Sequence, residues 1–247
     1  MHSDFTLMDR VANRVARTLP TRRIPIDLAR PIVSFTFDDV PATARSNGAA
    51  ILERYGARGT FYASGGLAGR EHDGVTVMDE ADYRDLVLRG HEIGNHTYSH
   101  LRPLQLGPDF GRDLDRNEAF LARVMPLKAR NFAYPFGLSS PFARSEMRRF
   151  RSARGTHLGI NRGSADLDNL AAVELRPAVQ EAELCGWLDA AIESPGWLIY
   201  FTHDVSDAPS AFGCRPAVLE AVIRRASESV CEILTIDAAL DRLGVAP

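Results

Sequence analysis

The sequence is poor in the features that mark several classes of protein. Its 247 residues include three cysteines, Cys185, Cys214 and Cys231, with no CxxC spacing. So sparse and odd a set argues against a disulfide framework, and we expect the three thiols to pack as small apolar groups in a reducing compartment. The formal net charge of −3 leaves no basic surface for general nucleic-acid binding. No window approaches the ~18 apolar residues of a membrane span.

The opening segment, MHSDFTLMDRVANRVARTLPTRR, also lacks the continuous apolar region of a signal peptide. Asp4, Asp9 and several arginines lie where such a peptide would be apolar. We therefore expect a cytoplasmic protein. Residues 8–19 can form a short amphipathic helix, and its small apolar face favours docking on the barrel or on a second subunit over binding to a membrane.

What the sequence does contain is a regular alternation of apolar strands and amphipathic helices. Hydrophobic residues make up 45% and charged residues 25%, as in ordinary globular proteins. The patterns predict strands at 32–37, 59–63, 91–95, 131–134, 155–159, 197–202 and 233–235, and helices at 42–55, 80–89, 108–124, 141–151, 180–193, 216–229 and 236–243. About seven strand–helix units without a long linker predict one α/β domain with a parallel sheet. We assign residues 31–247 to this domain and 1–30 to an N-terminal extension.

Polar residues follow several of the predicted strands. Asp38 and Asp39 follow FTF, His96 and His100 follow the third strand, and His203 follows WLIYFT. Because catalytic groups of parallel barrels lie at the carboxyl ends of the strands, we expect these side chains to open onto one face. The remaining histidines are assigned to structural positions (His91 and His157) or to the surface (His2 and His72).

The segment HTYSH places His96 and His100 at i and i+4. In a helical turn both imidazoles would project from one face and could share a divalent ion. Two histidines and one carboxylate, here Asp39, form a familiar catalytic zinc set with a position left for water. An HxxxH pattern by itself is more often a solvated helix face, and a lone His203 is more often structural. The aspartate pair at another strand end favours the metal site.

Four motifs together resemble a known family. TFDDV, HEIGNHTYSH, FAYPFG and LIYFTHD are similar, in order and spacing, to the motifs of the polysaccharide deacetylases, also called the NodB-homology domain or carbohydrate esterase family four. The resemblance extends over residues 31–243. It implies a distorted (β/α) barrel of about seven parallel strands that removes acetyl groups from N-acetylated sugars. It also implies a divalent metal, most often Zn²⁺, with Co²⁺, Ni²⁺ or Mn²⁺ as alternatives.

The resemblance also implies a role for each matching residue. Asp38 would be the general base and His203 the general acid. Asp39, His96 and His100 would bind the metal. Substrate would contact the groove segment Tyr134, Pro135 and Phe136, with the backbone N–H of Phe136 as an oxyanion donor.

One motif departs from the family pattern. Many members have Arg-Pro-Pro-Tyr-Gly where this chain has AYPFG at 133–137, so the arginine that orients the catalytic aspartate is replaced by Ala133. Arg176 could supply a guanidinium from another strand end, or it could be an ordinary surface arginine. Trp187 and Trp197 lie in apolar contexts and are expected in the core rather than in a sugar groove.

These departures leave the substrate open. The first hypothesis is a metal-dependent N-deacetylase acting on a soluble or lipid-linked saccharide precursor. The second keeps the same site but hydrolyses a non-sugar amide such as a cyclic ureide or imide, which the altered motif and the expected cytoplasmic location favour. A catalytically silent carbohydrate-binding barrel is disfavoured because base, ligands and acid are all present. The chain could also form a homo-oligomer.

Overall fold

Strands and helices alternate along residues 5–246, the part of the chain that this computed structural model describes. His2 lies outside these residues. The strands are β1 Arg23–Ile26, β2 Ile32–Asp38, β3 Thr60–Ala63, β4 Glu71–His72, β5 Val75–Thr76, β6 Glu92–Asn95, β7 Asn131–Ala133, β8 Ser152–Arg154, β9 Gly163–Asp166, β10 Val173–Glu174, β11 Trp197–Thr202 and β12 Glu232–Ile233. The α-helices are α1 Leu7–Thr18, α2 Ala50–Arg54, α3 Glu80–Leu88, α4 Pro103–Leu106, α5 Phe110–Leu121, α6 Arg144–Met147, α7 Glu181–Glu193, α8 Pro216–Ser227 and α9 Ile236–Arg242.

Seven parallel strands form a curled half-barrel in the order β10-β11-β2-β3-β6-β7-β8. The short strand β12 pairs with the beginning of β2. Every residue of β2 and β11 is buried, as expected for apolar strands that are covered on both faces. This architecture confirms the predicted distorted (β/α) barrel of about seven strands.

The register of the sheet brings the polar strand ends to one edge. Thr202 pairs with Phe37, Asp38 with Tyr62, and Ala63 with Asn95. Since neighbouring parallel strands lie about 4.8 Å apart, the residues that follow β2, β6 and β11 meet above the same end of the barrel.

Five of the predicted strands lie close to observed ones, namely 32–37, 59–63, 91–95, 131–134 and 197–202. The strand predicted at 155–159 is wrong. The observed strand in this region is β8, which ends at Arg154, just before the predicted range. Its sequence, Ser-Ala-Arg, is polar although all three residues are buried. The predicted helix at 42–55 begins as a π-helical turn, Ala44–Ala49, and becomes α-helical only in α2.

The N-terminal segment is tied to the barrel at two places. Strand β1 pairs antiparallel with β9, from Arg23 opposite Asp166 to Ile26 opposite Gly163. Helix α1 packs through buried Ala12 and Ala16. The sequence patterns predicted the helix but not the pairing of β1.

The apolar core has two main parts on the two sides of the sheet. The larger part packs side chains such as Phe35 and Phe37 against helices α7 and α8, and the smaller encloses Trp197. Trp197 is fully buried, and Trp187 is half-buried against the larger part, as predicted. All three cysteines are free thiols. No helix within residues 5–246 combines the length and apolar character needed to cross a bilayer.

Candidate active site

A cleft of about 280 Å³ opens at the carboxyl ends of the parallel strands. The residues that the sequence singled out on three separate segments all line it: Asp38, Asp39, His96, His100 and His203. Asp38 ends β2 and Asp39 directly follows it, the two histidines follow β6, and His203 follows β11. The fold therefore brings together residues separated by up to 165 positions in the chain.

Three of these side chains converge on one point. Asp39 Oδ1 lies 3.0 Å from His100 Nε2 and 3.5 Å from His96 Nε2. Although Asp39 Oδ1 is buried, it accepts no hydrogen bond, so these atoms are close without being aligned as donor and acceptor. Two imidazole nitrogens and a carboxylate oxygen within 4.8 Å of one another form a donor set that suits a divalent cation such as Zn²⁺. The residues present therefore fit a metal ion.

The surroundings of His96 favour its role as a ligand. Its Nδ1 lies 2.8 Å from the carbonyl oxygen of Ala133, which assigns the proton to Nδ1 and leaves the lone pair of Nε2 for a metal. Burial lowers the pKa of His96 to about 4, against the attraction of Asp38 and Asp39. The ring is therefore neutral near pH 7, which is the form that binds metals.

The charges of Asp39 and His100 are coupled. Burial opposes ionisation of Asp39, but the imidazoles of His100 and His96 favour it, and they hold the pKa of Asp39 well below its usual range. Burial likewise opposes a charge on His100, yet Asp39 raises the pKa of His100 above its ordinary value. A buried carboxylate is thus held ionised between two imidazoles, where a cation would find compensating negative charge.

The segment that carries the two histidines is a tight loop and not the helical turn that HTYSH suggested. Thr97 and His100 have left-handed backbone conformations, with φ of 61° and 54°. The loop is fastened by the side chain of Asp113 on α5, which accepts hydrogen bonds from the backbone N–H groups of Tyr98 (2.7 Å) and Ser99 (3.2 Å). The rings of His96 and His100 lie side by side, with centroids 5.1 Å apart and a tilt of 41° between their planes.

Backbone strain is concentrated in this region. Six non-glycine residues between 5 and 246 have positive φ, and four of them line the cleft, namely Asp39, Asp73, His100 and Phe136; the other two, Val40 and Thr97, directly follow site residues. Such conformations cost about 1–3 kcal/mol each and persist where the surrounding structure enforces them. Their clustering marks this edge of the barrel as a functional site.

Asp38 is held by an arginine that the sequence reasoning missed. Nη2 of Arg154, the last residue of β8, lies 2.5 Å from both carboxylate oxygens of Asp38. The Arg154 side chain is fully buried, and its Nη1 donates to the carbonyl of Gly155 at 3.0 Å. Arg176, the residue suggested for this task, is instead half-exposed and pairs with Glu174 at 3.3 Å.

His203 directs one nitrogen into the cleft. Its Nδ1 lies 3.2 Å from the carbonyl oxygen of Phe212 and its Nε2 lies 3.8 Å from Asp39 Oδ2. The ring also packs against Phe212, with centroids 5.6 Å apart. A proton on Nδ1 therefore fixes the ring, and Nε2 is the atom that can exchange a proton with a bound substrate.

The segment 134–136 contributes one side chain to the cleft rather than three. The Phe136 ring lies 4.7 Å from that of His100 and lines the opening. Tyr134 is buried in a satellite core with Phe132, and its hydroxyl donates to the carbonyl of Asp168 at 3.1 Å. Pro135 is buried in the turn that positions Phe136.

The hairpin β4–β5 also reaches the cleft, which the sequence reasoning did not foresee. His72, assigned to the surface, packs its ring 5.4 Å from that of His100, and Asp73 lines the opening. The sequence feature that could have predicted this hairpin is the dipeptide Asp73-Gly74, because Asp-Gly favours two-residue hairpin turns. The φ values of the two residues, 48° and 80°, suit such a turn.

Comparisons with known proteins agree with this geometry. Residues 26–151 match the family model described as polysaccharide deacetylase. Among solved structures, IcaB from Ammonifex degensii is 25% identical, with a TM-score of 0.53 over 63% of this chain and 70% of that one. A family 4 acetyl xylan esterase from Clostridium thermocellum, solved with a cobalt ion, is 21% identical, with a TM-score of 0.63 over 87% and 93%. The second likeness bears on the fold alone.

A curated relative matches more locally. The gellan lyase of a Bacillus species is 26% identical over 56% of this chain, and the match spans 6% of the length of that protein. The family match, in contrast, covers half of the chain and includes Asp38, Asp39, His96 and His100. The chain therefore belongs to the polysaccharide deacetylase family, whose members are hydrolases that act on acetylated carbohydrates.

Proposed function

We propose that this protein removes the N-acetyl group from an N-acetylated amino sugar in a saccharide or polysaccharide precursor, releasing acetate with the help of a divalent metal. The observation that carries the proposal is the arrangement of Asp39, His96 and His100 around one point, with Asp38 and His203 lining the same cleft. These are the parts that hydrolysis of an unreactive amide requires: a metal site, a base and an acid.

Asp39, His96 and His100 would hold the metal, and Zn²⁺ is the ion that best suits two imidazoles and a carboxylate. When bound, such an ion polarises a carbonyl and lowers the pKa of coordinated water toward ~7. Co²⁺, Ni²⁺ or Mn²⁺ would also fit this donor set. The acetyl xylan esterase of the same fold was solved with cobalt.

The side chains divide the proton transfers between them. Asp38, fixed by Arg154 through both oxygens, accepts a proton from the attacking water. His203 Nε2 gives a proton to the amine as the amide C–N bond breaks. A new C–O bond forms on the acetyl carbon, so the products are acetate and the free amino sugar. The backbone N–H of Phe136 would stabilise negative charge that develops on the carbonyl oxygen.

The structure weakens the reason for preferring a non-sugar amide. That hypothesis rested partly on Ala133, which stands where many relatives have the arginine that orients the base. Arg154 holds Asp38 from the neighbouring strand, so the altered motif no longer distinguishes the chain from a sugar deacetylase. Cyclic ureides and imides remain the comparison substrates.

The test is acetate release from N-acetylglucosamine oligomers by protein stripped with chelator and then reloaded with Zn²⁺. We expect activity to vanish on stripping and to return on reloading. After reloading, Asp38→Asn and His203→Ala should stay at least about 10²-fold less active than the parent while still binding metal. Arg176→Met, which changes an arginine outside the ion pair with Asp38, is the matched control. Ureide or imide hydrolysis by reloaded protein that leaves every acetylated saccharide intact would contradict the proposal.

A further inference from the structure

Helix α1 packs on the barrel with the less apolar of its faces. The buried residues of the helix are Asp9, Ala12 and Ala16. Asp9 Oδ2 pairs with Arg102 Nη1 at 2.8 Å, and Asn13 Oδ1 accepts a hydrogen bond from the Ser139 hydroxyl at 2.8 Å. These contacts orient the helix on the protein without using any of its large apolar side chains.

The apolar face of α1 points outward. Its side chains are between 36% and 77% exposed: Leu7, Met8, Val11, Val15 and the flanking Leu19. With 3.6 residues per turn, these positions form one stripe along the helix. A helix on a globular protein ordinarily turns such a stripe toward the core. The opposite orientation here leaves a surface that requires an apolar partner.

A row of arginines lies beside this stripe. Arg10, Arg14 and Arg17 are exposed at i, i+4 and i+7. Within residues 5–246, none of the three forms an ion pair with a carboxylate. The acidic residue of α1, Asp9, is buried and paired with Arg102. The outward surface of the helix is therefore apolar along one side and cationic along the other.

This charge pattern distinguishes between two occupants. If two copies of the chain joined through their α1 stripes, each would bring a row of arginines and no carboxylate from the helix to neutralise them, and like charges in contact oppose association. An anionic bilayer supplies both an apolar layer for the stripe and phosphates for the arginines. The sequence pattern favoured docking of this face on the barrel or on a second subunit, but the apolar side chains lie exposed beside the arginines. We propose instead that α1 is an interfacial anchor that binds flat on the surface of an anionic bilayer.

The anchor begins beside the cleft. The ring of Phe5, just before α1, lies 6.1 Å from the ring of Phe136, which in turn lies 4.7 Å from that of His100. A turn at Pro141–Ala143 also packs near α1 and carries Phe142, which is almost fully exposed. Binding through α1 would hold the cleft at the membrane surface. If the proposed function is correct, this position suits a lipid-linked saccharide substrate.

The test is co-sedimentation of the full chain with vesicles of phosphatidylcholine and phosphatidylglycerol, compared with vesicles of phosphatidylcholine alone. We expect binding to the mixed vesicles that weakens with added salt. Each arginine near an anionic surface contributes about fivefold, so Arg10→Gln/Arg14→Gln should weaken binding by about 25-fold. Val11→Ser/Val15→Ser should weaken binding to at least the same extent.

Two controls keep the result interpretable. Leu88→Ser removes a leucine of α3 that is 87% exposed, more than any apolar side chain of α1, and should leave vesicle binding unchanged. Thermal unfolding of the α1 variants and their acetate release from a soluble oligomer should stay close to the parent. The mutated side chains belong to none of the three described core clusters and do not line the cleft. A failure of the proposed function would thus appear in acetate release, and a failure of the anchor in sedimentation.

The proposal is overturned if the mixed vesicles do not retain the parent protein. It is also overturned if the α1 variants bind as well as the parent. If light scattering shows a dimer that Val11→Ser/Val15→Ser converts to monomer while vesicle binding is unchanged, the stripe is a subunit interface instead.

Discussion

Replacing Arg154 with methionine should damage both folding stability and catalysis while sparing the metal site. Arg154 is fully buried, and its Nη2 lies 2.5 Å from both oxygens of Asp38, which is itself buried. Methionine fills part of the space but leaves the Asp38 carboxylate in the interior without a counter-charge. Within residues 5–246, the side chain of Arg154 forms its hydrogen bonds with Asp38 and the Gly155 carbonyl, and none with Asp39, His96 or His100.

The size of the effect follows from the burial of the pair. Breaking a buried ion pair by removing one partner costs about 3–5 kcal/mol. In a chain of this size each kcal/mol lowers the melting temperature by about 2–4 °C, so we expect a fall on the order of 10 °C. Loss of the position of the Asp38 carboxylate should lower kcat by about 10²-fold or more, because small displacements of a catalytic group are that costly.

The assay combines thermal unfolding, acetate release and metal analysis. A double-mutant cycle with Asp38→Asn isolates the pair: Arg154→Met/Asp38→Asn carries no buried charge at either position and should be more stable than the sum of the single losses by up to about 3 kcal/mol. Metal content should equal that of the parent in all three variants.

Arg176→Met is the matched control, since Arg176 is half-exposed and pairs with Glu174. Exposed ion pairs contribute about 0–1 kcal/mol, so this variant should unfold and react like the parent. The reasoning is refuted if Arg154→Met keeps full kcat and stability, or if Arg176→Met produces the loss expected of Arg154→Met.

Three further predictions test other parts of the structure. His203→Ala should lower kcat by about 10²–10⁴-fold with unchanged metal content, as measured by acetate release and metal analysis; loss of metal would contradict the role given to His203. Gly137→Ala should lower both stability and activity, because a Cβ would clash with the Thr156 side chain and φ is +65°. Since each kcal/mol shifts the melting temperature by about 2–4 °C, a melting temperature within about 1–2 °C of the parent would contradict the strain. Burial and nearby Arg17 lower the pKa of His157 to about 4 in the folded protein. The imidazole of the same residue has a pKa of about 6.5 in the unfolded chain. The neutral ring therefore stabilises the fold fully above about pH 6.5, and this contribution is lost as the pH falls through 4. Between pH 4 and 6.5, His157→Gln should reduce the pH dependence of the unfolding free energy by up to about 1.4 kcal/mol per pH unit. Urea unfolding at each pH measures this dependence, and an unchanged dependence would refute the prediction.

The parts of the fold that could be predicted are those where the local pattern and the burial agree. Strands β2 and β11 are apolar in sequence and buried at every position, so their type and place were evident. Strand β8 is equally buried but reads Ser-Ala-Arg, and its polar side chains find partners only in the folded state. No local pattern contains that information.

The same limit applies to the loops around the cleft. The two histidines of HTYSH have helical spacing. However, the backbone N–H groups of Tyr98 and Ser99, which would form hydrogen bonds within a helix, donate instead to the side chain of Asp113 on α5. Helix α1 shows the opposite case. Its amphipathic pattern predicted the helix, yet which face packs on the barrel was settled by Asp9 and Arg102, a pair that spacing alone does not reveal.

The position of Arg154 explains how the family site tolerates Ala133. The two residues are direct partners in the ladder between β7 and β8, so they stand at the same height above the barrel, one strand apart. Neighbouring strands are about 4.8 Å apart, a distance that an arginine side chain can span. The guanidinium of Arg154 can therefore reach Asp38 from β8. The backbone carbonyl of Ala133 meanwhile lies 2.8 Å from His96 Nδ1, a contact that does not depend on the side chain at position 133. One ladder position thus fixes Asp38, the proposed base, through the Arg154 side chain and His96, a proposed metal ligand, through the Ala133 backbone.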